Sequence, residues 1–391
     1  MADSGDRIPE RAAADQFDWM VQARRHLHTH PEVGLDLPVT ADVVSEVLTG
    51  LGLEIETDAA SSGITARMPG TTGETVILRA DMDALPITEA TDLEFRSSTP
   101  GTMHACGHDL HTSMLLGAAR ALAEIPERHD IIFAFQAGEE FDRGALPLLE
   151  HRHLQEAGAA RTFALHMHAQ KSLGTFYGRP GPFMGYGDWF RITITGASGH
   201  ASAPHLARSP IPALAFLAEH IDAITALDAQ PWPTKVATVT ETLAGNSVNV
   251  IPDSASLRGT LRGRDEAVIT AVRDELHELV DTARTRFGVA IDLDLQLGYP
   301  AVVNNPTMND YAMGLAQQIP GASIEVMPEA SMVIEDYSYF LQRWPGSMMY
   351  LGAAVEGHTS FNHSADVMFD EVAMPIGCAY LISAATDTTV G

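Results

Sequence analysis

One short segment concentrates the side chains in this sequence that could bind a metal ion. Residues 103–111, reading MHACGHDLH, carry a thiol, three imidazoles and a carboxylate. Cys106 and His108 are two positions apart, so on a loop or strand end both can reach one ion, which would hold the thiol ionised. The alternative is that a cysteine before the apolar run 114–116 is buried filler and the histidines are surface residues. The density of donors favours a metal site.

Further donors occur where predicted strands end. The apolar run 131–135 leads to Glu139 and Glu140, and the run 162–165 leads to His166. Helices and strands alternate here, and α/β sheets bind ligands at the carboxyl ends of their strands. One glutamate could bind metal while its neighbour transfers protons, and the sequence alone does not say which does which. An exposed acidic loop is the alternative for an isolated pair.

Two more places carry polar residues of the same kind. A predicted strand at residues 75–80 runs into Asp81 and Asp83, which would lie at the same sheet edge unless they are solvated loop acids. His358 and His363 stand in a Gly/Ser-containing loop near the end of the chain, where a site and a surface loop fit equally well.

Composition limits the classes of function. A chain of 391 residues is long for one core, so two domains are expected. The 24 basic and 51 acidic residues give a net charge of −27, which argues against nucleic acid and anionic membrane as partners. No apolar run approaches the ~18 residues that span a bilayer, and no secretory signal is visible. Cys106 and Cys378 could form at most one bridge, which a metal-bound thiolate could not join, so we expect the cytoplasm.

The local signals predict two helices before the first strand. Residues 11–29 read as a helix that Pro31 ends. A second helix is predicted to start after Thr40 as its N-cap and to end near Gly50, before a strand at residues 64–68.

From about residue 185 the pattern changes to a βαββαβ order. Phe190, Ile192 and Ile194 alternate with polar residues, as in a strand with one wet face. The first following helix is predicted to open at Ser209 and Pro210. The order describes a ferredoxin-like α+β sandwich.

Metal donors occur on both sides of this sandwich, so it reads as an insertion. We therefore expect an α/β catalytic domain, with a mixed sheet flanked by helices, in residues 1–184 and 299–391, interrupted by the ferredoxin-like domain in residues 185–298.

Short motifs along nearly the whole chain carry a resemblance to a known family. They are LHTHPE (27–32), RADMDALP (79–86), MHACGHD (103–109), FQAGEE (135–140), ALH (164–166), GHASAPH (199–205), NVIPD (249–253), GTLR (259–262) and EDYS (335–338), followed by Pro345 and Gly346. RADMDALP and MHACGHD are the most specific. On these motifs the sequence resembles the M20 family of metallopeptidases, in the amidohydrolase branch that includes auxin-conjugate, hippurate and N-acyl-amino-acid hydrolases.

The resemblance implies a zinc-peptidase-like catalytic domain with two divalent ions, which could be zinc, manganese, cobalt or nickel. Carried over by motif, their ligands are Cys106, His108, Glu140, His166 and His363. A pair of ions about 3.5–4 Å apart would lower the pKa of a water molecule and stabilise a tetrahedral oxyanion.

Other roles also follow from the resemblance. Glu139 would be the general base, and Asp83 would orient a ligand. The inserted domain would act as lid and dimerisation domain in a homodimer or higher homo-oligomer, with His200 reaching an active site across the dimer to bind the oxyanion. Asn249 and Arg262 match positions that face the carboxylate of the leaving amino acid, although Arg262 could equally be a surface cation.

The sequence departs from the family pattern at several places. Leu37 follows Asp36 where relatives carry an acid, Ser209 precedes Pro210 where aspartate is usual, and FQAGEE replaces FQPAEE. His168 and His358 are extra imidazoles. These departures leave the acyl and amino-acid pockets undefined, but they remove no metal donor.

The expectation from the sequence is a metal-dependent amidohydrolase that splits an N-acyl amino acid or similar small amide. A dipeptidase or aminopeptidase of the same fold is the alternative within enzymes, and it would need a site for a free α-ammonium group. A binding homologue without turnover is a third reading, and the presence of Glu139 and all the donors argues against it.

Overall fold

A computed structural model describes residues 8–57, 59–140, 142–225 and 234–388 of the chain. The helices are α1 (Ile8–Asp15), α2 (Phe17–Thr29), α3 (Pro38–Gly50), α4 (His108–Ala123), α5 (Ala145–Leu148), α6 (Arg152–Gln155), α7 (Ile211–Asp222), α8 (Glu266–Phe287), α9 (Pro306–Gln318), α10 (Ser338–Arg343) and α11 (Ala373–Thr386), with a 3₁₀ turn at Pro204–Leu206. None of the helices in the described ranges is long and apolar enough to cross a membrane.

The strands follow the same chain order. They are β1 (Glu54–Thr57), β2 (Ile64–Met68), β3 (Thr75–Asp81), β4 (Asp130–Gln136), β5 (Ala160–His168), β6 (Thr175–Gly178), β7 (Gly181–Met184), β8 (Tyr186–Thr195), β9 (Gly199–His200), β10 (Lys235–Ala244), β11 (Val250–Ile251), β12 (Ser254–Gly263), β13 (Ala290–Tyr299), β14 (Val302–Asn304), β15 (Ser323–Val326) and β16 (Gly346–Gly352).

The chain forms two compact units. The first unit consists of Met1–Gly181, Val303–Pro328 and Asp336–Gly391, and the second consists of Pro182–Val302 and Glu329–Glu335. Each unit has its own apolar core, built in the first around the central strands and α4 and in the second around the sheet and its two helices.

The first unit is built on an eight-stranded mixed sheet in the order β1-β2-β4-β3-β5-β16-β6-β15. Strands β4, β3, β5 and β16 are neighbours and run parallel, so their carboxyl ends lie at one edge. Their residues are almost continuously buried, as expected for strands covered on both faces. The predicted α/β architecture of the catalytic domain is confirmed.

The second unit has the predicted ferredoxin-like topology. Strands β8, β10, β12 and β13 pair antiparallel in the order β10-β12-β8-β13, with α7 and α8 contributing to the core on one face. The Asp265 carboxylate caps α8 by accepting a hydrogen bond from Val268 N at 2.9 Å, and Gly288 ends the helix with φ +62°.

Two predictions near the start of the chain are wrong. The helix expected over residues 11–29 is two helices, α1 and α2, separated at Gln16. The N-cap expected at Thr40 lies inside α3, which begins at Pro38. The reason is not local in sequence: the Glu32 carboxylate accepts hydrogen bonds from Val39 N at 3.0 Å and Thr40 N at 2.9 Å, and Pro38 has no N–H to satisfy.

Buried charges attach the first turn of α4 to α2. Asp109 Oδ2 lies 2.8 Å from both Arg24 Nε and His28 Nδ1, and His28 Nε2 lies 3.3 Å from Glu89 Oε1. Carboxylates only accept hydrogen bonds, so both ring nitrogens of His28 act as donors. Burial lowers the pKa of His28, but Asp109 and Glu89 outweigh burial and raise it above its usual value.

This contact predicts a pH dependence of stability. A raised pKa means that protonated His28 stabilises the folded chain fully below its ordinary pKa of about 6.5, and that this stabilisation is lost as pH rises through the higher folded value. We expect His28→Gln to lower the free energy of unfolding by about 2 kcal/mol at pH 6, with a smaller loss at pH 9.

Thermal unfolding of both proteins across this pH range measures the difference. His26→Gln is the control, because His26 is exposed on the same helix. A difference between wild type and His28→Gln that grows with pH would contradict the protonated assignment.

Candidate metal centre

The predicted donors come from separate elements that meet at the carboxyl edge of the parallel strands. Cys106 precedes α4 and His108 is its first residue, while His166 lies in β5. Gly107 between the first two has φ +89°, a left-handed conformation that glycine adopts without strain. A side chain there would also approach Met167 Cβ to 3.2 Å. Glycine therefore lets the chain turn so that both neighbours face the same space.

The distances bring all the predicted metal donors together. Cys106 Sγ lies 3.4 Å from His166 Nε2 and 3.3 Å from His363 Nε2, which is itself 3.2 Å from Glu140 Oε1. His108 Nε2 is 3.9 Å from the same Glu140 oxygen. The donors form two groups of three, and within each group the ligand atoms lie within 4.8 Å of one another. One group is Cys106, His108 and His166, and the other is Cys106, Glu140 and His363.

The unpaired atoms of the cluster fit a cation. In the described ranges, His108 Nε2 is buried and has no hydrogen-bond partner, and the buried Glu140 Oε1 faces other donors of the cluster, His363 Nε2 at 3.2 Å and His108 Nε2 at 3.9 Å. Leaving a buried polar atom unpaired costs about 1–3 kcal/mol. A thiol, imidazoles and a carboxylate are the ligands that borderline divalent ions take. The donor set therefore fits divalent metal ions.

The Asp83 carboxylate orders the loops that carry the donors. The two carboxylate oxygens accept hydrogen bonds from Glu139 N at 3.0 Å and Glu140 N at 3.1 Å. The backbone carbonyl of Asp83 accepts a hydrogen bond from His108 Nδ1 at 2.8 Å. The last contact leaves His108 Nε2 free to face the other donors. Glu139 is buried beside them, in a group with His108 and Glu140.

The loop that carries His363 is held by a residue that sequence reasoning missed. Asn362 Nδ2 donates to Met167 O at 3.0 Å and Cys106 O at 3.3 Å, and Asn362 Oδ1 accepts from Ala169 N at 3.1 Å. His363 has φ +70°, an uncommon value for a residue with a side chain. The only sequence signal that could have pointed to Asn362 is that it is adjacent to the predicted ligand His363.

The electrostatics of the cluster place protons on some of the donors. Burial lowers the pKa of His363, but the Cys106 thiol and Glu140 carboxylate outweigh burial and raise it to about 10. Burial also lowers the pKa of His108, but Asp81 and Cys106 raise it well above the usual value. Burial lowers the pKa of His166 well below the usual value. Metal binding must therefore displace protons.

Known proteins are similar to this chain in sequence and fold. Residues 77–387 match peptidase family M20/M25/M40. The chain is 36% identical to thermostable carboxypeptidase 1 of Saccharolobus solfataricus, over 92% of this chain and 93% of that protein. It is 33% identical to IAA-amino acid hydrolase ILR1-like 5 of Arabidopsis thaliana, over 95% and 87%. The chain belongs to peptidase family M20/M25/M40.

A solved member of this M20 family has the same fold. The Bacillus subtilis YXEP protein, described as a dinuclear metal binding peptidase from the M20 family, superposes with a TM-score of 0.79 and 27% identity, over 95% of this chain and 98% of that one. The present M20 protein falls in the amidohydrolase branch and is a metal-dependent hydrolase.

The two extra histidines of this M20 hydrolase differ in their surroundings. His168 packs edge-on against Tyr350 and Phe361, with ring centroids 5.2 and 5.1 Å away. Burial and the nearby Lys171 lower the pKa of His168 to about 4, so its ring is neutral at pH 7. His358 is exposed. Neither belongs to the groups of clustered donors in the described ranges.

The remaining predicted site residues lie in the second unit. His200 is exposed in β9, with Nδ1 at 2.8 Å from Ser202 Oγ. Asn249 is exposed and its Oδ1 accepts from Ser247 Oγ at 2.7 Å. Arg262 is half-buried in β12, donates to the Leu261 carbonyl at 2.9 Å, and has its pKa lowered by burial.

We predict that added divalent ions stabilise the chelator-treated protein. When the free ion concentration is 100 times the dissociation constant, binding adds about 2.7 kcal/mol to the free energy of unfolding. A rise in melting temperature on addition of Zn²⁺ or Co²⁺ would report this stabilisation. His363→Ala should lose most of this rise, and His358→Ala, in the same loop, should keep it. The rise should shrink as pH falls, because protons compete at His363. Equal responses of the two variants would contradict the donor assignment.

Proposed function

We propose that this hydrolase uses two divalent metal ions to cleave the amide bond of N-acyl amino acids or similar small amides, releasing a carboxylate and an amino acid. The proposed ligands are Cys106, His108, Glu140, His166 and His363, and the ions are zinc, manganese, cobalt or nickel. The observation that carries the proposal is the buried acid Glu139 next to these donors, with its backbone fixed by Asp83. A thiol among the proposed metal ligands supports a reducing, cytoplasmic setting.

Bound divalent ions would lower the pKa of a water molecule and stabilise the negative charge that develops on the amide oxygen. The chain's own residues supply the proton transfers. Glu139 would take a proton from the attacking water and donate it to the leaving nitrogen. Asp83 would keep Glu139 and Glu140 in place, because its carboxylate accepts a hydrogen bond from each backbone N–H.

The second unit would serve as lid and dimerisation domain. In a homodimer, His200 would donate a hydrogen bond to the amide oxygen in the partner's active site, a preorganised contact of the kind that stabilises an oxyanion. Its ring is exposed and therefore accessible. Arg262 and Asn249 would bind the carboxylate of the leaving amino acid, and a guanidinium can do so with two parallel hydrogen bonds.

The comparisons support two substrate classes. The plant relative named as an IAA-amino acid hydrolase supports acyl amino acids, whereas the archaeal relative named as a carboxypeptidase supports peptides. N-acetyl and N-benzoyl amino acids, compared with the corresponding unblocked dipeptides, separate the alternatives. Hydrolysis of the acylated compounds supports the proposal, and a strict requirement for a free α-ammonium group supports the dipeptidase alternative.

We predict that Glu139→Ala and Glu139→Gln lower kcat by about 10²–10⁴ because proton transfer is lost. The metal content should stay at the wild-type level, since this residue is not one of the proposed ligands. Initial rates with elemental analysis of the same samples measure both quantities. Glu156→Ala, which changes an exposed glutamate, is the control. Full activity of Glu139→Ala would refute the assignment of the base.

A mixing experiment tests the cross-subunit role of His200. His200→Ala should lower kcat by about 10²–10³ through loss of an oxyanion contact. Unfolding and refolding His200→Ala together with Glu139→Ala should restore up to about a quarter of wild-type activity, because half of randomly assorted dimers are mixed and each contains one complete site. Wild-type chains carried through the same refolding set the reference. No recovery in the mixture would place His200 outside the partner's active site.

A further inference from the structure

His111 is a buried histidine beside the metal donors that the proposed mechanism does not use. It lies in α4, its ring centroid is 4.9 Å from that of His166, and it forms a tight group with Asp81 and His108 that has the composition of a metal site. Its side chain is fully enclosed. A ligand role and a positioning role are therefore both open until its hydrogen bonds are considered.

The hydrogen bonds of His111 leave it no free lone pair. Nδ1 lies 2.5 Å from Asp81 Oδ1, and Nε2 accepts a hydrogen bond from Met167 N at 2.7 Å. A carboxylate accepts and a backbone amide donates, so the ring is the neutral Nδ1–H tautomer with its single lone pair in use. Binding an ion through Nε2 would break the bond to Met167.

The oxygens of Asp81 also have hydrogen-bond partners. Its second oxygen lies 2.8 Å from Arg79 Nη1, and its backbone carbonyl accepts from Thr112 Oγ1 at 2.9 Å. The carboxylate is fully buried, and the pair with Arg79 compensates its charge. Asp81 therefore holds the His111 ring in one orientation and one tautomer.

His111 links Asp81 to the backbone of Met167, and this backbone contacts the proposed metal ligand His166. The pairing of β5 with β3 ends at Ala164, opposite Arg79. Beyond that point the Met167 N–H is taken by His111, and the Met167 carbonyl accepts from His166 Nδ1 at 2.9 Å. A proton on Nδ1 leaves the His166 Nε2 lone pair directed toward Cys106 Sγ, 3.4 Å away.

We infer that His111 is a positioning residue of the metal centre: it connects Asp81 to the Met167 peptide and thereby holds His166 in the tautomer and orientation that bind metal. The inference rests on the proposed metal centre, but it concerns metal binding and can be tested without turnover. Contacts of this kind around a metal ligand typically change metal affinity about 10- to 100-fold.

Glutamine and asparagine at position 111 separate the two hydrogen bonds. The amide of glutamine reaches the place of Nε2 and can accept from Met167 N, whereas the shorter amide of asparagine reaches the place of Nδ1 and can bond only to Asp81. We expect His111→Gln to bind Co²⁺ within about 3-fold of wild type, and His111→Asn and His111→Leu to bind it about 10- to 100-fold more weakly.

Titration of the full-length, chelator-treated protein with Co²⁺ against a competing chelator gives the affinity. The absorption band of cobalt bound to the Cys106 thiolate reports the ligand geometry, and we expect it to be perturbed in His111→Asn and His111→Leu and retained in His111→Gln. If His111→Leu does not fold, the contrast between the Gln and Asn variants decides the question.

His129→Leu is the matched control. His129 is also fully buried with both ring nitrogens in contacts, to Thr72 Oγ1 and the Asp387 carbonyl at 2.6 Å each, but it precedes β4 at the opposite end of the strand from the donors. Its loss should lower the melting temperature and leave cobalt affinity and spectrum unchanged.

Three results would overturn the inference. They are a wild-type affinity and spectrum in both His111→Asn and His111→Leu, an equal loss of cobalt binding in His129→Leu, and an equal loss in the Gln and Asn variants. Cobalt binding without hydrolysis of any acyl amino acid would remove the proposed substrate class and leave the role of His111 intact. Failure of the wild-type chain to bind Co²⁺ would remove both.

Discussion

The carboxylate of Asp83 joins the parts of the chain that form the candidate metal centre. Asp83 follows β3, yet its carboxylate accepts hydrogen bonds from the backbone N–H groups of Glu139 and Glu140 after β4. The backbone carbonyl of Asp83 accepts a hydrogen bond from His108 at the start of α4. Three segments that are distant in sequence thus share one residue. The donors remain a few ångströms apart because these loops are held by charge-assisted hydrogen bonds, which are stronger than neutral ones.

Two buried carboxylates extend this ordering to the first turn of α4. Asp109 contacts Arg24 from α2, and His111 contacts Asp81 from β3, so the turn that contains His108 is held from two sides. Each acid is compensated by a buried arginine, Arg24 or Arg79, in a chain whose net charge is −27. Removing one partner of such a pair leaves an uncompensated buried charge, typically at a cost of about 3–5 kcal/mol. The geometry of the candidate metal donors therefore depends on residues outside the proposed ligand set.

Much of the fold could be predicted because its signals are local. The alternation of apolar and polar residues in β8 was visible in the sequence and corresponds to the observed strand. The partly exposed β1 and the short β15 were missed because neither carries a periodic apolar pattern. Thr40 was misassigned as the N-cap because the carboxylate that accepts hydrogen bonds from the first turn of α3 belongs to Glu32, eight residues earlier in the chain.

The sequence by itself determined the chemical types of the donors, their order along alternating strands and helices, and the family motifs in which they stand. It could not decide which nitrogen of each histidine is available. His108, His111 and His166 look alike in sequence, but hydrogen bonds direct the Nε2 atoms of His108 and His166 toward the other donors and occupy both nitrogens of His111. Each imidazole lone pair is assigned by partners from other strands and loops, and these partners meet only after the chain has folded.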